Sequence, residues 1–524
     1  MSFVNNDVTS WPSAYKHALA LALLVSLVYV PVLFFPYLLL DDNWIVRKLE
    51  AVPSLDYIAA MQGRPVFAIL IRLTRVLTGN SETPVNVMAA MTLVRGLAIV
   101  GLCGFTVGFF NWLMVWGSSV RVAFLTAALA ATLPSLAMYV LGGPWLTVAL
   151  LGSLVSVYFV LYAVLADSRA GAARWALGAV VVQGLCWCTY QGTVPVAAAL
   201  VLVVFVGSNQ ADWDLTHGFH SLSQRARFIL LGILVFIISM LVYVICWKLV
   251  VYQLYGEIKE TRYSPSAINL LSPAKLAYFF QLRLTQIMNL WDVSGLSKSV
   301  FYWLSLLGVL LAVSRDWFSQ QSKLFTVAKW ALVLLGLILV DLPALSGNAS
   351  DQNASPVFSY MTSAALVVAF AGIFSYRLYP LVADAKHPLR RRLLQFAVLA
   401  TALTLSMRLT LTHFAVPLWL EYRYVRSEIE RFSLSHGGVE GVRMAERGPP
   451  LLGTGLQEFS WSNLQSAFYI NCMVRNVLDD LKLKSRIRID VTTASGQVVT
   501  SPHYDREPDP SKILTIETLH LRLD

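Results

Sequence analysis

Two adjacent carboxylates, Asp41 and Asp42, stand directly after an apolar run that closes on Leu38-Leu39-Leu40, and Trp44 follows two residues later. A run of that length crosses a bilayer, so its polar end falls where hydrocarbon meets water. Partial desolvation there raises a carboxylate pKa and prepares such a group for general-base work. Further along comes Gln62-Gly63-Arg64-Pro65. The planar fork of Arg64 can engage either the carboxylates or an anionic ligand such as a phosphate. A plain membrane stop, with two charges marking the bilayer edge, is the competing reading of Asp41 and Asp42.

The elements that must position these residues are membrane spans. The chain has 524 residues, of which 57% are hydrophobic and 13% charged, against roughly 25% charged in soluble domains. Apolar stretches long enough to cross a bilayer recur at 15–38, 85–110, 121–140, 145–166, 175–190, 194–207, 227–250, 299–314, 324–342, 357–375 and 393–412, which predicts about 11 spans. The first lacks a small-residue cleavage site and reads as a retained span. The stretch 194–207 is short and opens with Pro195 after Tyr190-Gln191-Gly192, which suits a re-entrant or tilted element.

Loop charges set the orientation. Arg121, Arg169, Arg174, Arg225, Arg227, Arg315, Lys323 and the group from Arg377 to Arg392 fall on one side, whereas the short turns 139–144, 190–193 and 343–356 carry no Lys or Arg. The positive-inside rule puts the N-terminus in the cytoplasm, and an odd span count puts everything after 412 outside. The predicted organisation is a transmembrane domain over 1–412, with outer loops 41–83 and 251–298, and an extracytoplasmic C-terminal domain over 413–524. Within the first loop, 64–78 suits an interfacial helix with Arg64, Ala68, Arg72 and Arg75 along one face. In the second, Lys259, Arg262 and Tyr263 can face a phosphate or a sugar. Lys329, near an inner span end, is expected to snorkel.

The tail suits a compact α+β domain, with a helix at 463–482 and strands at 486–491 and 514–521. Its 13 Lys+Arg balance 14 Asp+Glu, so the net charge of +10 belongs to the membrane part. That excess implies anionic lipid headgroups and not nucleic acid. The 5 cysteines form no zinc or disulfide pattern, and no Ser-His-Asp, HExxH or phosphate-loop motif occurs.

An Asp-Asp pair after the first span, Gly63-Arg64-Pro65 about 20 residues on, many spans and a polar outer tail together resemble the membrane glucosyltransferases that modify bacterial O-antigen and convert serotype, the Gtr type II family. The resemblance implies an all-α, GT-C-like membrane fold in the bacterial inner membrane. It implies a polyprenyl-phosphate-linked sugar donor, with glucose as the family's sugar, and a cell-surface glycan acceptor on the periplasmic face. The catalytic carboxylates would then be Asp42 and Asp41, with Arg64, Trp44, Gln62, Lys259, Arg262 and Tyr263 on the substrates. The chemistry agrees: sugar transfer from a lipid phosphate needs a base for the attacking hydroxyl and cations for the leaving phosphate. Two adjacent carboxylates are an incomplete oxygen set for a divalent cation, so no essential metal or other cofactor is expected. The alternative is a transporter or flippase of a lipid-linked or anionic substrate, which would draw on intramembrane charges.

Overall fold

Inside hydrocarbon every backbone N–H and C=O must be satisfied within its own segment, and the apolar stretches of this chain accordingly fold as helices. The structure is a computed structural model, and the residues it describes are 11–35, 59–60, 63–77, 87–141, 144–213, 222–255, 273, 277, 279–280, 284, 309–318, 322–341, 363–375, 388–446, 467–483, 487–493, 495–501 and 506–516. The principal helices are α1 (Trp11–Tyr29), α2 (Pro65–Leu77), α3 (Val87–Val115), α4 (Val120–Thr132), α5 (Pro134–Leu141), α6 (Thr147–Leu165) and α7 (Arg169–Thr189). They continue as α8 (Pro195–Val206), α9 (Gln224–Tyr255), α10 (Lys323–Val340), α11 (Ala364–Ile373), α12 (Pro388–Thr410), α13 (Val416–His436) and α14 (Ala467–Asp480).

Among the described residues, five stretches are long and apolar enough to cross a membrane: Tyr15–Phe34, Met91–Val115, Thr147–Leu165, Gln224–Leu249 and Lys323–Val340. A further pair, α4 and α5, meets the same test jointly but is bent by 56° at the break that holds Pro134, where a proline removes a helical hydrogen bond. Several such helices in one chain make it a multi-pass membrane protein. The chain divides into two compact units. One is Met1–Tyr29, Met61–Val66 and Ala98–Ser406; the other is Val30–Ala60, Phe67–Leu97 and Met407–Asp524.

At the centre of the first unit lies α8, with Val196, Ala199, Leu200, Val203, Val204 and Val206 all buried. Its 12 residues give about 18 Å of helix, well short of a bilayer's ~30 Å hydrocarbon core. Three consecutive side chains of α8 each enter the space left by a glycine on a different neighbour. A Cβ at Gly232 of α9 would stand 2.7 Å from Val201, one at Gly336 of α10 2.9 Å from Leu202, and one at Gly372 of α11 would run into Val203. Small residues at these crossings let the helices approach closely, which is how helices associate where lipid supplies no hydrophobic drive.

Lys329 does not snorkel. Its side chain is buried against Asp316 at 3.2 Å, donates to the Ser208 carbonyl at 2.7 Å, and shares Asp316 with the Trp330 indole at 3.1 Å. A carboxylate and a carbonyl within reach meet the ammonium's needs without water, which removes the reason to reach for the interface.

In the second unit α13 and α14 pack on a four-stranded sheet with order β3-β2-β1-β4, where β1 is Gly441–Ala445, β2 Arg488–Thr492, β3 Val498–Thr500 and β4 Ile513–Ile516. β1 pairs in parallel with both β2 and β4, and β3 closes a hairpin on β2. Parallel neighbours need a crossover, and α14 supplies it between β1 and β2. The core joins Val442, Met444, Ile489 and Val491 of the sheet to Ile470, Met473, Val474 and Val477 of α14. The predicted tail helix and two strands are therefore present, with two further strands beside them; residues 463–466 of the predicted helix and 486 and 517–521 of the predicted strands lie outside the described residues.

Candidate functional site

The break between α7 and α8 creates the site. Because α8 is short, the turn Tyr190–Val194 that precedes it is drawn inside the unit, where Tyr190, Thr193 and Val194 are buried. A buried turn must have its polar groups paired. The Tyr190 amide donates to the Cys186 carbonyl at 3.0 Å, the Val194 carbonyl accepts from Gln183 Nε2 at 3.3 Å, and the Thr193 hydroxyl lies 2.8 Å from that of Tyr139.

Onto this turn comes Gly63-Arg64-Pro65, each residue for its own reason. Gly63 has φ +80°, and a Cβ there would run into the Tyr243 hydroxyl; only glycine meets both demands. Pro65 is the first residue of α2, the helical position whose amide needs no intrahelical partner. Between them Arg64 donates from Nε to Gln191 Oε1 at 2.9 Å and lays its guanidinium over the Tyr190 ring, 4.7 Å from the centroid.

Gln191 is the hinge of the arrangement. Its Nε2 donates to the Gly63 carbonyl at 3.0 Å and to the Tyr243 hydroxyl at 2.6 Å, while that hydroxyl donates to the same carbonyl at 3.0 Å. An amide is the side chain that can accept from arginine at one end and donate to a carbonyl at the other, and this pairing fixes its orientation. Tyr243 is held in turn by rings, stacking on Trp187 at 5.7 Å and beside Trp247 at 6.1 Å. Trp187 is pinned by an indole hydrogen bond to Ser239 at 3.3 Å.

What this leaves open is the outer edge of the guanidinium. Arg64 is half-buried, its Nε is committed and one face is covered; among the described residues neither Nη has a hydrogen-bond partner. The indole Nε1 of Trp247, beside Gly63, is likewise shielded from solvent without a partner among the described residues. A pre-oriented cation with two parallel N–H donors free is suited to an oxyanion, above all a phosphate.

Of the residues predicted from sequence, Arg64 is thus seated in a built site. Asp41, Asp42, Trp44, Gln62, Lys259, Arg262 and Tyr263 lie outside the described residues. Tyr190, Gln191 and Tyr243 were not predicted as site residues; the polar break Tyr190-Gln191-Gly192 inside an apolar run was the one signal for the first two. The predicted polar stripe of the first-loop helix is altered as well. Arg64 precedes α2, whose buried face is Ala68, Ile71 and Thr74, while Ile69, Leu73 and Val76 form an exposed apolar stripe. Among the described residues no group of three or more His, Cys, Asp or Glu side chains is placed to hold a metal ion.

Neither a protein-family model nor a curated protein matches the sequence.

Proposed function

We propose that this chain is a GT-C-like membrane glycosyltransferase, with about 11 spans and its C-terminal domain outside the bacterial inner membrane. In this reading it moves a sugar, glucose by resemblance, from a polyprenyl-phosphate donor to O-antigen or another cell-surface glycan. The observation that carries it is Arg64: a half-buried guanidinium anchored to Gln191 and Tyr190, with both Nη groups unpartnered among the described residues. A lipid-linked donor presents its phosphate at headgroup depth, and an arginine held this way neutralises the charge that develops as the sugar–phosphate bond breaks. Asp42, one residue farther from the apolar run than Asp41, accepts the proton of the attacking hydroxyl, and its neighbour orients Arg64 or the backbone. The tail, the large polar domain on the same side, helps present the acceptor.

The transporter alternative draws on one feature of its own, the buried Lys329–Asp316 pair, since ionisable groups at membrane depth often mark a substrate path. One experiment separates the two. Purified protein is given a radiolabelled polyprenyl-phosphate sugar and an O-antigen acceptor, and label in the acceptor is counted. Transfer supports the enzyme; label that stays on the lipid, or crosses a vesicle membrane unreacted, overturns it.

A further inference from the structure

A second site of different chemistry lies elsewhere in the first unit. Helices α1, α4 and α12 enclose a groove of about 420 Å³ lined by Lys16, His17, Ala20, Arg121, Phe124, Leu125, Gln395, Phe396 and Leu399. Its wall is carbon and its rim is cationic. The His17 ring packs edge-on against Phe124 at 5.6 Å, and Phe396 is largely exposed. Among the described residues no carboxylate lines it.

We propose that this groove binds a phospholipid with a net negative headgroup, the phosphate lying between Lys16 and Arg121 and an acyl chain lying along Phe124, Phe396 and Leu399. Depth supports the assignment. Lys16 is the second residue of the span Tyr15–Phe34 and Arg121 the second residue of α4, so both cations sit at span ends, where lipid phosphates lie. A soluble anion would use the rim and leave the wall unpaired; a neutral lipid would use the wall and leave two cations unanswered. Only an anionic lipid matches both.

None of these residues belongs to the Arg64 site, so the groove is tested independently of sugar transfer. The full chain in detergent is titrated with phosphatidylglycerol or phosphatidylcholine and bound lipid is counted by native mass spectrometry. The wild type is expected to retain phosphatidylglycerol in preference to phosphatidylcholine. Lys16→Gln combined with Arg121→Gln should weaken phosphatidylglycerol binding about 30-fold, from about fivefold per cation removed. Leu399→Trp, which keeps both cations and fills the wall, should also lower retention. Equal retention of the two lipids by the wild type overturns the proposal, and so does unchanged phosphatidylglycerol binding in both variants. The wild-type comparison decides the matter should either variant fail to fold.

Discussion

Replacing Arg64 with lysine separates the phosphate-binding role proposed for this residue from its structural one. The substitution keeps the charge and discards the fork. In the wild type Nε is spent on Gln191 at 2.9 Å, so among the described residues two Nη donors are left for an oxyanion; a lysine at this position offers a point charge without that planar geometry. A hydrogen bond to a charged group contributes about 1.5–3 kcal/mol, so losing one of two parallel bonds should lower kcat/KM for a lipid-phosphate donor by about 10- to 150-fold. The structural cost is separate: the Gln191 bond and part of the Tyr190 ring contact are worth about 1–3 kcal/mol together. The assay is the initial rate of labelled-sugar transfer by protein that elutes as a single species, beside its thermal melt. A lowered melting temperature with kcat/KM within twofold of wild type would falsify the phosphate role and leave Arg64 as a brace that holds the Gly63-Arg64-Pro65 segment on the Tyr190–Val194 turn.

Gly63→Ala combines a left-handed backbone with a side chain driven into the Tyr243 hydroxyl and should cost about 2–4 kcal/mol; an unchanged melting curve would contradict the packing described. Lys329→Met strands Asp316 in the interior and should destabilise by about 3–5 kcal/mol, with much of the loss recovered in Lys329→Met/Asp316→Leu; additive losses in a double-mutant cycle would mean the two do not act as a pair. In the tail, the Asp509 backbone amide and then Arg506 and Lys512 hold the Glu440 carboxyl below the usual range, and the Ser511 amide and hydroxyl do the same for Asp509. Depressed folded-state values mean stability that is fully present above the unfolded pKa of about 4 and is lost as pH falls through the folded values. Hydrogen exchange in β1 and β4 should therefore accelerate in acid less steeply in Glu440→Gln and Asp509→Asn than in wild type, and parallel profiles would rule out the linkage. Asp42→Asn should cost about 10²–10⁴ in transfer rate and Asp41→Asn less; near-normal rates in both would remove the general base from the mechanism.

How much of this was legible in the sequence depended on whether the signal was local. Gly63-Arg64-Pro65 stood out because its backbone demands are met by residue type within three positions. The partners did not: Gln191 is 127 residues from Arg64, and Tyr243, an aromatic in an apolar span, reads as a residue facing core or lipid. Lys329 misled for the same reason, since its carboxylate partner lies on the separate helical segment 309–318. In the tail, the alternating residues of β2 and β4 were visible. By contrast β3 is Val498-Val499-Thr500 with no buried position, and β1 offers five residues before a long stretch leading to α14. Parallel pairing such as β1 with β2 leaves no short turn to mark it.

The length of α8 ties the fold to the site. A full-length span in its place would carry the Tyr190–Val194 turn to the bilayer surface, where water would answer its polar groups and no reason would remain for a glutamine to clamp Gly63 and Arg64. Shortening the helix to about 18 Å instead leaves the turn buried, and a buried turn needs partners from another segment. The first-loop segment supplies them: the Gly63 carbonyl takes the donors of Gln191 and Tyr243, and Arg64 caps the Tyr190 ring. That leaves Arg64 oriented by two contacts, the Gln191 hydrogen bond and the Tyr190 ring, yet with its outer edge unused among the described residues. A side chain there purely for stability would be expected to spend its strongest donors on the protein, because unmet guanidinium N–H groups in a half-buried setting are costly. The Nε bond and the ring fix the direction of the fork, and the fork itself is what a phosphate would complete.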